Sequence, residues 1–329
     1  MKKIPNRQVH LDFHTSEMID QVGSKFSAEE FADTLKNANV EAVTLFTRCH
    51  HGNLYYDSTK YPERIHPHLK VKDMYREQAK ECRKKGIKVY LYTTICWDIR
   101  VAAEHPEWVA IDDYARISRR ETGNIFEDPG FHVDLCINSP YREFCKEQIA
   151  DALENCPVDG VLVDASFVVE CCCPRCRKSM LEKHLNPADP QDRKKHAWQI
   201  YYDFVREMTD YLHEIDSDYD IFFNKGHVGA QDIPVRDCFD YVAVESQPAN
   251  CGYMDFPVSA RYLRTWGVPV VGMTGRFLTG WGDNNSYRNQ AALEYESFSA
   301  LSYGGLCNIG DQLPPSGQLD KDMLSLIHI

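Results

Sequence analysis

The chain has 329 residues, of which 43% are hydrophobic and 26% charged, and its 37 Lys and Arg against 49 Asp and Glu leave a formal net charge of −12. That composition suits a soluble globular protein with a large core. The acidic balance argues against nucleic acid or an anionic membrane surface as partner, since both need clustered basic residues. No stretch approaches the roughly 18 continuous apolar residues of a membrane span, and no apolar run follows Lys2-Lys3 as a secretory signal would require. Thirteen cysteines in a chain that is neither small nor visibly secreted read as reduced thiols of a cytoplasmic enzyme, some of them binding metal.

Along the chain a short apolar run rich in Val, Ile and Tyr recurs, followed by a polar turn and a helical segment. Eight such runs predict strands at Gln8–Phe13, Ala42–Phe46, Lys88–Tyr92, Gly160–Val163, Asp220–Phe223, Tyr241–Val244, Val268–Met273 and Gly304–Ile309. Their near-continuous hydrophobicity is that of parallel strands covered on both faces. Between them, Ser27-Ala-Glu-Glu30 is a capping box opening a helix through Leu35. A helix from about Asp73 stops at Lys84-Lys85-Gly86. Ser139-Pro140 reads as an N-cap followed by proline at the first helical position, and a longer helix covers about Arg193–Ile215. Eight βα units without a composition break predict a single-domain (β/α)8 TIM barrel over residues 1–323. No Gly-x-Gly-x-x-Gly follows the first strand, which weakens a dinucleotide-binding reading. The last six residues, Leu324–Ile329, read as a non-native tail, and the helix due after strand eight is cut short. The expectation is that the natural protein continues.

Catalytic groups of such a barrel sit at the C-terminal ends of its strands, so the residues closing each run form the search set. Asp164 closes strand four and Glu245 strand six, each sharing a face with the residue two before it. Two carboxylates across a barrel mouth are what glycosidic hydrolysis needs, one to protonate the leaving oxygen and one to attack or to activate water. Asp159 precedes strand four and belongs to the opposite, stability face. His14, His50 and His51, Tyr56, Trp97, Asn224, Arg276, Trp281 and Asp311 complete a substrate-binding set: imidazoles, amides and charged groups for hydroxyls, aromatic faces for the apolar side of a pyranose. The adjacent histidines could equally bind metal, although no third ligand at helical spacing is present. The most specific local signal is Cys171-Cys172-Cys173-Pro-Arg-Cys176 after strand four. Cys171, Cys173 and Cys176, joined by Cys136, have the ligand set of a closed and therefore structural Zn²⁺ site.

Several pieces taken together resemble a bacterial family described as hypothetical glycosyl hydrolase 6, related to the α-L-fucosidases of glycoside hydrolase family 151. They are Val9-His-Leu-Asp-Phe-His14, Cys49-His-His-Gly52, Cys136-Ile-Asn-Ser-Pro-Tyr141, Val158-Asp-Gly-Val-Leu-Val-Asp164, the cysteine run, Gly275-Arg-Phe277 with Trp281-Gly-Asp283, and Gly310-Asp-Gln312. A wider likeness to family 29 α-L-fucosidases implies Asp164 as nucleophile and His50 and His51 as sugar ligands; Glu245 as acid/base rests on strand position. The cysteine set is also similar to the zinc cluster of family 42 β-galactosidases. Those enzymes place glutamates at strands four and seven, where this chain has Asp164 and Gly275-Arg276. Members of the resembling family are longer, with domains after the barrel through which a homo-oligomer could form. The expectation is a retaining exo-glycosidase of α-L-fucosidase type acting on a carbohydrate, with a β-galactosidase-like enzyme or a non-catalytic carbohydrate-binding barrel as alternatives. A metal-dependent hydrolase built on His10, His14, His50 and Asp311 is disfavoured, because His10 and His14 on one strand would lie about 13 Å apart.

Overall fold

The computed structural model describes residues 3–119, 132–154, 156–283, 286–321 and 324; the expected tail, Leu324 apart, lies outside them. Eight parallel strands run β1 (Arg7–Asp12), β2 (Ala42–Phe46), β3 (Lys88–Thr94), β4 (Gly160–Asp164), β5 (Asp220–Phe223), β6 (Val242–Glu245), β7 (Val270–Gly275) and β8 (Leu306–Gln312). Helices α1 (Ala28–Asn37), α2 (Met74–Lys84), α3 (Ile99–Glu104), α4 (Tyr141–Leu153), α5 (Pro174–Glu182), α6 (Pro190–Ile215), α7 (Pro248–Cys251), α8 (Asp255–Leu263) and α9 (Gln290–Ser302) lie between them. The sheet order is β5-β4-β3-β2-β1-β8-β7-β6, so β1 pairs with both β2 and β8. This is a (β/α)8 barrel that is nearly, not fully, closed. At the β5–β6 seam Asp240 substitutes for a ladder: its N–H donates to the Ile221 carbonyl at 3.1 Å and its Oδ2 accepts from the Ile221 N–H at 2.9 Å.

The punctuation read from sequence forms as expected, with small offsets. Ser27 Oγ accepts from the Glu30 N–H, and Gly86 ends the α2 region at φ +72°. Ser139 lies one residue further out, accepting from the Tyr141 N–H at 3.2 Å, with Pro140 as the capping residue. β3 and β8 run longer than their apolar stretches, because Thr93-Thr94 and Asp311-Gln312 continue the ladders.

Side chains alternate between the barrel interior and the layer under the helices. Val43, Val89, Leu91, Val161, Val163 and Ile221 are fully buried and form the strand side of the core. Inside, a lower tier joins Tyr90, Lys88 and Asp220, whose Oδ2 accepts from the Tyr90 hydroxyl at 3.1 Å. Above it Phe46 stacks flat on Tyr92 at 3.7 Å and closes the floor of the mouth. Asp159 is structural, as its position before β4 implies: it pairs with Arg83 and accepts from the Val89 N–H at 2.9 Å. Among the described residues no helix is long and apolar enough to cross a membrane.

Candidate active site

A cavity of about 370 Å³ opens at the C-terminal ends of the strands, the size of a small-ligand site. Asp164 and Glu245 both line it, with Asn224 between them. The Asn224 Nδ2 donates to Asp164 Oδ1 at 2.8 Å and to Glu245 Oε2 at 3.1 Å. The other Asp164 oxygen accepts from the Tyr92 hydroxyl at 2.6 Å. Both oxygens of Asp164 thus receive donors, an arrangement that stabilises a carboxylate anion. Burial, followed by the nearby Asp164 charge, pushes the Tyr92 phenol well above its ordinary range, so it stays a donor.

The imidazoles of His14 and His50 form the wall beside Asp164. Burial opposes charge on His14, but Asp12, 3.2 Å from its Nε2, outweighs that and pushes its pKa up to about 10. The geometry opposes protonation: the His50 backbone N–H points at His14 Nδ1 from 3.2 Å, a contact only an unprotonated nitrogen accepts. We therefore read His14 as the neutral Nε2–H tautomer, with both nitrogens committed to protein groups. Its ring stacks on His50 at 4.0 Å. Burial holds His50 well below the usual histidine range. Thr94 Oγ1 gives its proton to the Trp97 carbonyl at 3.2 Å and lies 2.8 Å from His50 Nδ1. His50 must then be the donor in that pair, which leaves a lone pair on Nε2, 3.9 Å from Asp164 Oδ2. The loops carrying these groups are tied together under the mouth by Arg48 and Asp98, fully buried and paired at 2.8 Å.

Aromatic faces complete the wall. Trp97 packs edge-on to His50 at 5.1 Å and against Phe167 at 4.7 Å, its indole N–H donating to Asp134 at 3.0 Å. Opposite, Trp281 lies against His10 at 5.5 Å and Phe277 at 5.0 Å. A Cβ on Gly310 would overlap the Trp281 ring, so β8 admits this tryptophan only because it has glycine there.

Four expected site residues are placed elsewhere. Tyr56 is fully buried between α2 and α4, donating to Asp151 at 2.7 Å beneath the Arg76 guanidinium. His51 is outside the cavity lining; burial brings its pKa down to about 4. Asp311 falls within β8 and, one residue from inward-facing Gly310, points under the helices. There Arg276 sits 3.3 Å away, itself buried and 3.7 Å from Asp320. Burial, only partly offset by Arg276, raises Asp311 to about 7. The alternation of β8 thus turns Asp311 away from the mouth, and Arg276, just after β7, turns with it to Asp311 and Asp320. Conversely, His10, Asp12, Tyr92, Phe167, Lys225 and Met273 line the cavity without having been expected as sugar ligands, His10 having been weighed only as a metal ligand. His10, Asp12 and Tyr92 were legible in principle, because strand alternation gives the inward face once one member is known.

Cys136, Cys171, Cys173 and Cys176 are buried, and their sulfurs all lie within 4.8 Å of one another. Cys136 is 3.5 Å from Cys176 and 3.9 Å from Cys173. Metal–sulfur bonds of about 2.3 Å in a tetrahedron put sulfurs about 3.8 Å apart, so this donor set fits one ion. N–H groups of Asn138 and Cys173 point at the Cys176 and Cys171 sulfurs. The cluster ties Cys136, two residues from the Asp134 that holds the Trp97 indole, to the loop after β4 that carries Phe167.

Residues 27–165 match the model of the family described as hypothetical glycosyl hydrolase 6. The matched segment holds His50, Tyr92, Trp97, Cys136 and Asp164 but stops short of Asn224 and Glu245. The fold is similar to α-L-fucosidase isoenzyme 2 from Paenibacillus thiaminolyticus, with TM-score 0.91 and 34% identity over 99% of this chain and 48% of that one. The chain thus spans about half the length of that relative. A Thermotoga maritima α-fucosidase gives TM-score 0.55 at 15% identity, covering 93% of this chain and 56% of that one. A β-galactosidase from the psychrophilic Marinomonas ef1 gives TM-score 0.68 at 12% identity, covering 98% and 58%. These last two show the shared barrel alone. No curated protein matches the sequence.

Proposed function

We propose that this barrel is a retaining, exo-acting glycosidase of α-L-fucosidase type, with Asp164 as nucleophile and Glu245 as acid/base. The observation that carries the reading is the shared Asn224 amide. Oxygens of Asp164 and Glu245 at 2.8 and 3.1 Å from one nitrogen lie within about 6 Å of each other, matching the roughly 5–5.5 Å of retaining pairs rather than the roughly 6.5–9.5 Å of inverting ones. In the first step an Asp164 oxygen bonds to the anomeric carbon as the glycosidic C–O bond breaks, and the leaving oxygen takes the Glu245 proton. In the second, water gives a proton to Glu245 and its oxygen to the anomeric carbon, releasing the Asp164 carboxylate. His50 lines the cavity beside Asp164, and Trp97 and Trp281 offer apolar faces. The fucosyl specificity is supported by the 34% identical relative. We further infer that the four cysteines hold Zn²⁺, which would act structurally because four thiolates leave no open position. The thirteen free thiols suit a reducing, cytoplasmic setting.

The test is turnover of 4-nitrophenyl α-L-fucoside, with the galactosides as comparison. Asp164→Ala should lower it at least about 10⁴-fold, with partial restoration by azide in the vacated space. Glu245→Ala should cost about 10²–10⁴-fold on poor leaving groups and far less on nitrophenol. Near-normal turnover by Asp164→Ala, or sugar binding with no hydrolysis by the unaltered full-length protein, would leave a carbohydrate-binding barrel instead.

A further inference from the structure

The Asn224 side chain offers two N–H protons and one carbonyl oxygen. Both donors converge on carboxylates, Asp164 Oδ1 at 2.8 Å and Glu245 Oε2 at 3.1 Å, and Oδ1 accepts from the Gly226 N–H at 3.1 Å. The amide orientation is therefore determined. Flipped, its oxygen would face two carboxylate oxygens and its NH2 would face an N–H. The backbone gives it no slack: the Asn224 N–H donates to the Val163 carbonyl at 2.8 Å, and its own carbonyl accepts from the Ser166 N–H and hydroxyl at 2.9 and 2.8 Å. The residue is 9% exposed. Both of its donors are spent on the protein, so it has no N–H left for a sugar hydroxyl.

From this we infer that Asn224 is a positioning residue, a yoke that fixes the spacing of Asp164 and Glu245 and shares one donor group between them. The inference rests on the proposed roles of that pair. A single amide between two carboxylates holds them closer than their mutual repulsion favours. It also couples them: when glycosylation cancels the Asp164 charge, the amide remains with Glu245, which must then act as a base. The other titratable groups facing the pair are His10 and Asp12 from β1, His14 just after it, His50 after β2, Tyr92 from β3, His132 between α3 and α4, Lys225 after β5 and Cys251 after β6. Lys225 turns its ammonium to Asp232 at 3.2 Å and to the Trp198 ring, so Asn224 is the neutral donor between the two carboxylates.

The test is the pH dependence of kcat/KM on 4-nitrophenyl α-L-fucoside for the unaltered protein, Asn224→Asp and Asn224→Ala. The acid limb reports the group that must be ionised and the alkaline limb the one that must be protonated. Asn224→Asp keeps the shape and the Gly226 contact but replaces a donor with a third carboxylate. It should move the acid limb up by one unit or more, about a ten-fold loss well below the limb. Asn224→Ala should move it up by less, and KM should change by less than about three-fold in either variant. A ten-fold or larger rise in KM with both limbs in place would make Asn224 a sugar ligand and overturn the inference. Should the aspartate variant not fold, Asn224→Ser gives the same two readouts. Binding of a fucose-configured iminosugar, followed against pH, reports the same carboxylates without turnover. Failure of the proposed function shows separately, as activity surviving Asp164→Ala; limbs unmoved in Asn224→Asp while Asp164→Ala is inactive sink this inference alone.

Discussion

Removing the Asp98 carboxylate should be among the most damaging single changes in this chain, although it touches no substrate. Arg48 and Asp98 are 0% exposed and paired at 2.8 Å, and the Arg48 guanidinium also donates to the Thr94 carbonyl. Asp98 additionally caps α3 by accepting from the Val101 N–H at 2.9 Å. Asp98→Ala leaves a buried arginine without its counter-charge, which costs about 3–5 kcal/mol, and removes a cap worth about 1 kcal/mol. A total near 4–6 kcal/mol is a large share of the roughly 5–15 kcal/mol that holds a domain folded. The pair joins the loop bearing His50 to the loop bearing Trp97, so sugar affinity should fall in the surviving native fraction. Urea unfolding followed by circular dichroism measures the loss. Asp98→Asn, which keeps the shape and a cap acceptor, should cost less, and the apolar double variant Arg48→Met/Asp98→Leu should recover much of the deficit. A cost for Asp98→Ala below about 1 kcal/mol, the range of a surface pair, would show that water reaches these groups and would refute the reasoning.

Elemental analysis should find about one zinc per chain, lost in Cys173→Ser. Stripping the metal should expose the loop after β4 around Cys171–Cys176 to limited proteolysis and weaken sugar quenching of Trp97 fluorescence, and a cluster without bound metal would leave both measurements unchanged. Gly310→Ala should displace Trp281, costing about 1–3 kcal/mol and raising KM; an unchanged KM would remove Trp281 from the binding wall. His10, His50 and His51 all have lowered pKa values, with burial the largest cause and His51 at about 4. The unfolded chain therefore binds more protons below 6.5, so their contribution is complete above 6.5 and declines as pH falls toward 4. His51→Gln should flatten that part of a Tm-against-pH curve, and an unaltered slope would remove His51 from the account.

The sequence by itself determined the barrel and the two ends that matter in it. Strands buried on both faces must be largely apolar, so Ala42–Phe46, Lys88–Tyr92 and Gly160–Val163 stand out without any partner being known, and a carboxylate closing such a run announces the mouth. The cysteine spacing likewise fixed three sulfurs of one cluster locally, and Cys136 joins them in the fold. Phase along β8 was not legible. Asp311 and Gly310 are neighbours in an unbroken run, and only the pairing of β8 with β1 and β7 decides that Gly310 faces Trp281 while Asp311 turns to Arg276. Tyr56 follows the histidine loop closely in sequence, yet Asp151, 95 residues away, draws it beneath the helices. Asn224 reads from sequence as a polar strand end suited to a hydroxyl. Its role depends on carboxylates 60 residues before it and 21 after it, and hydrogen bonds are satisfied across strands in space, where local sequence holds no record of the partner.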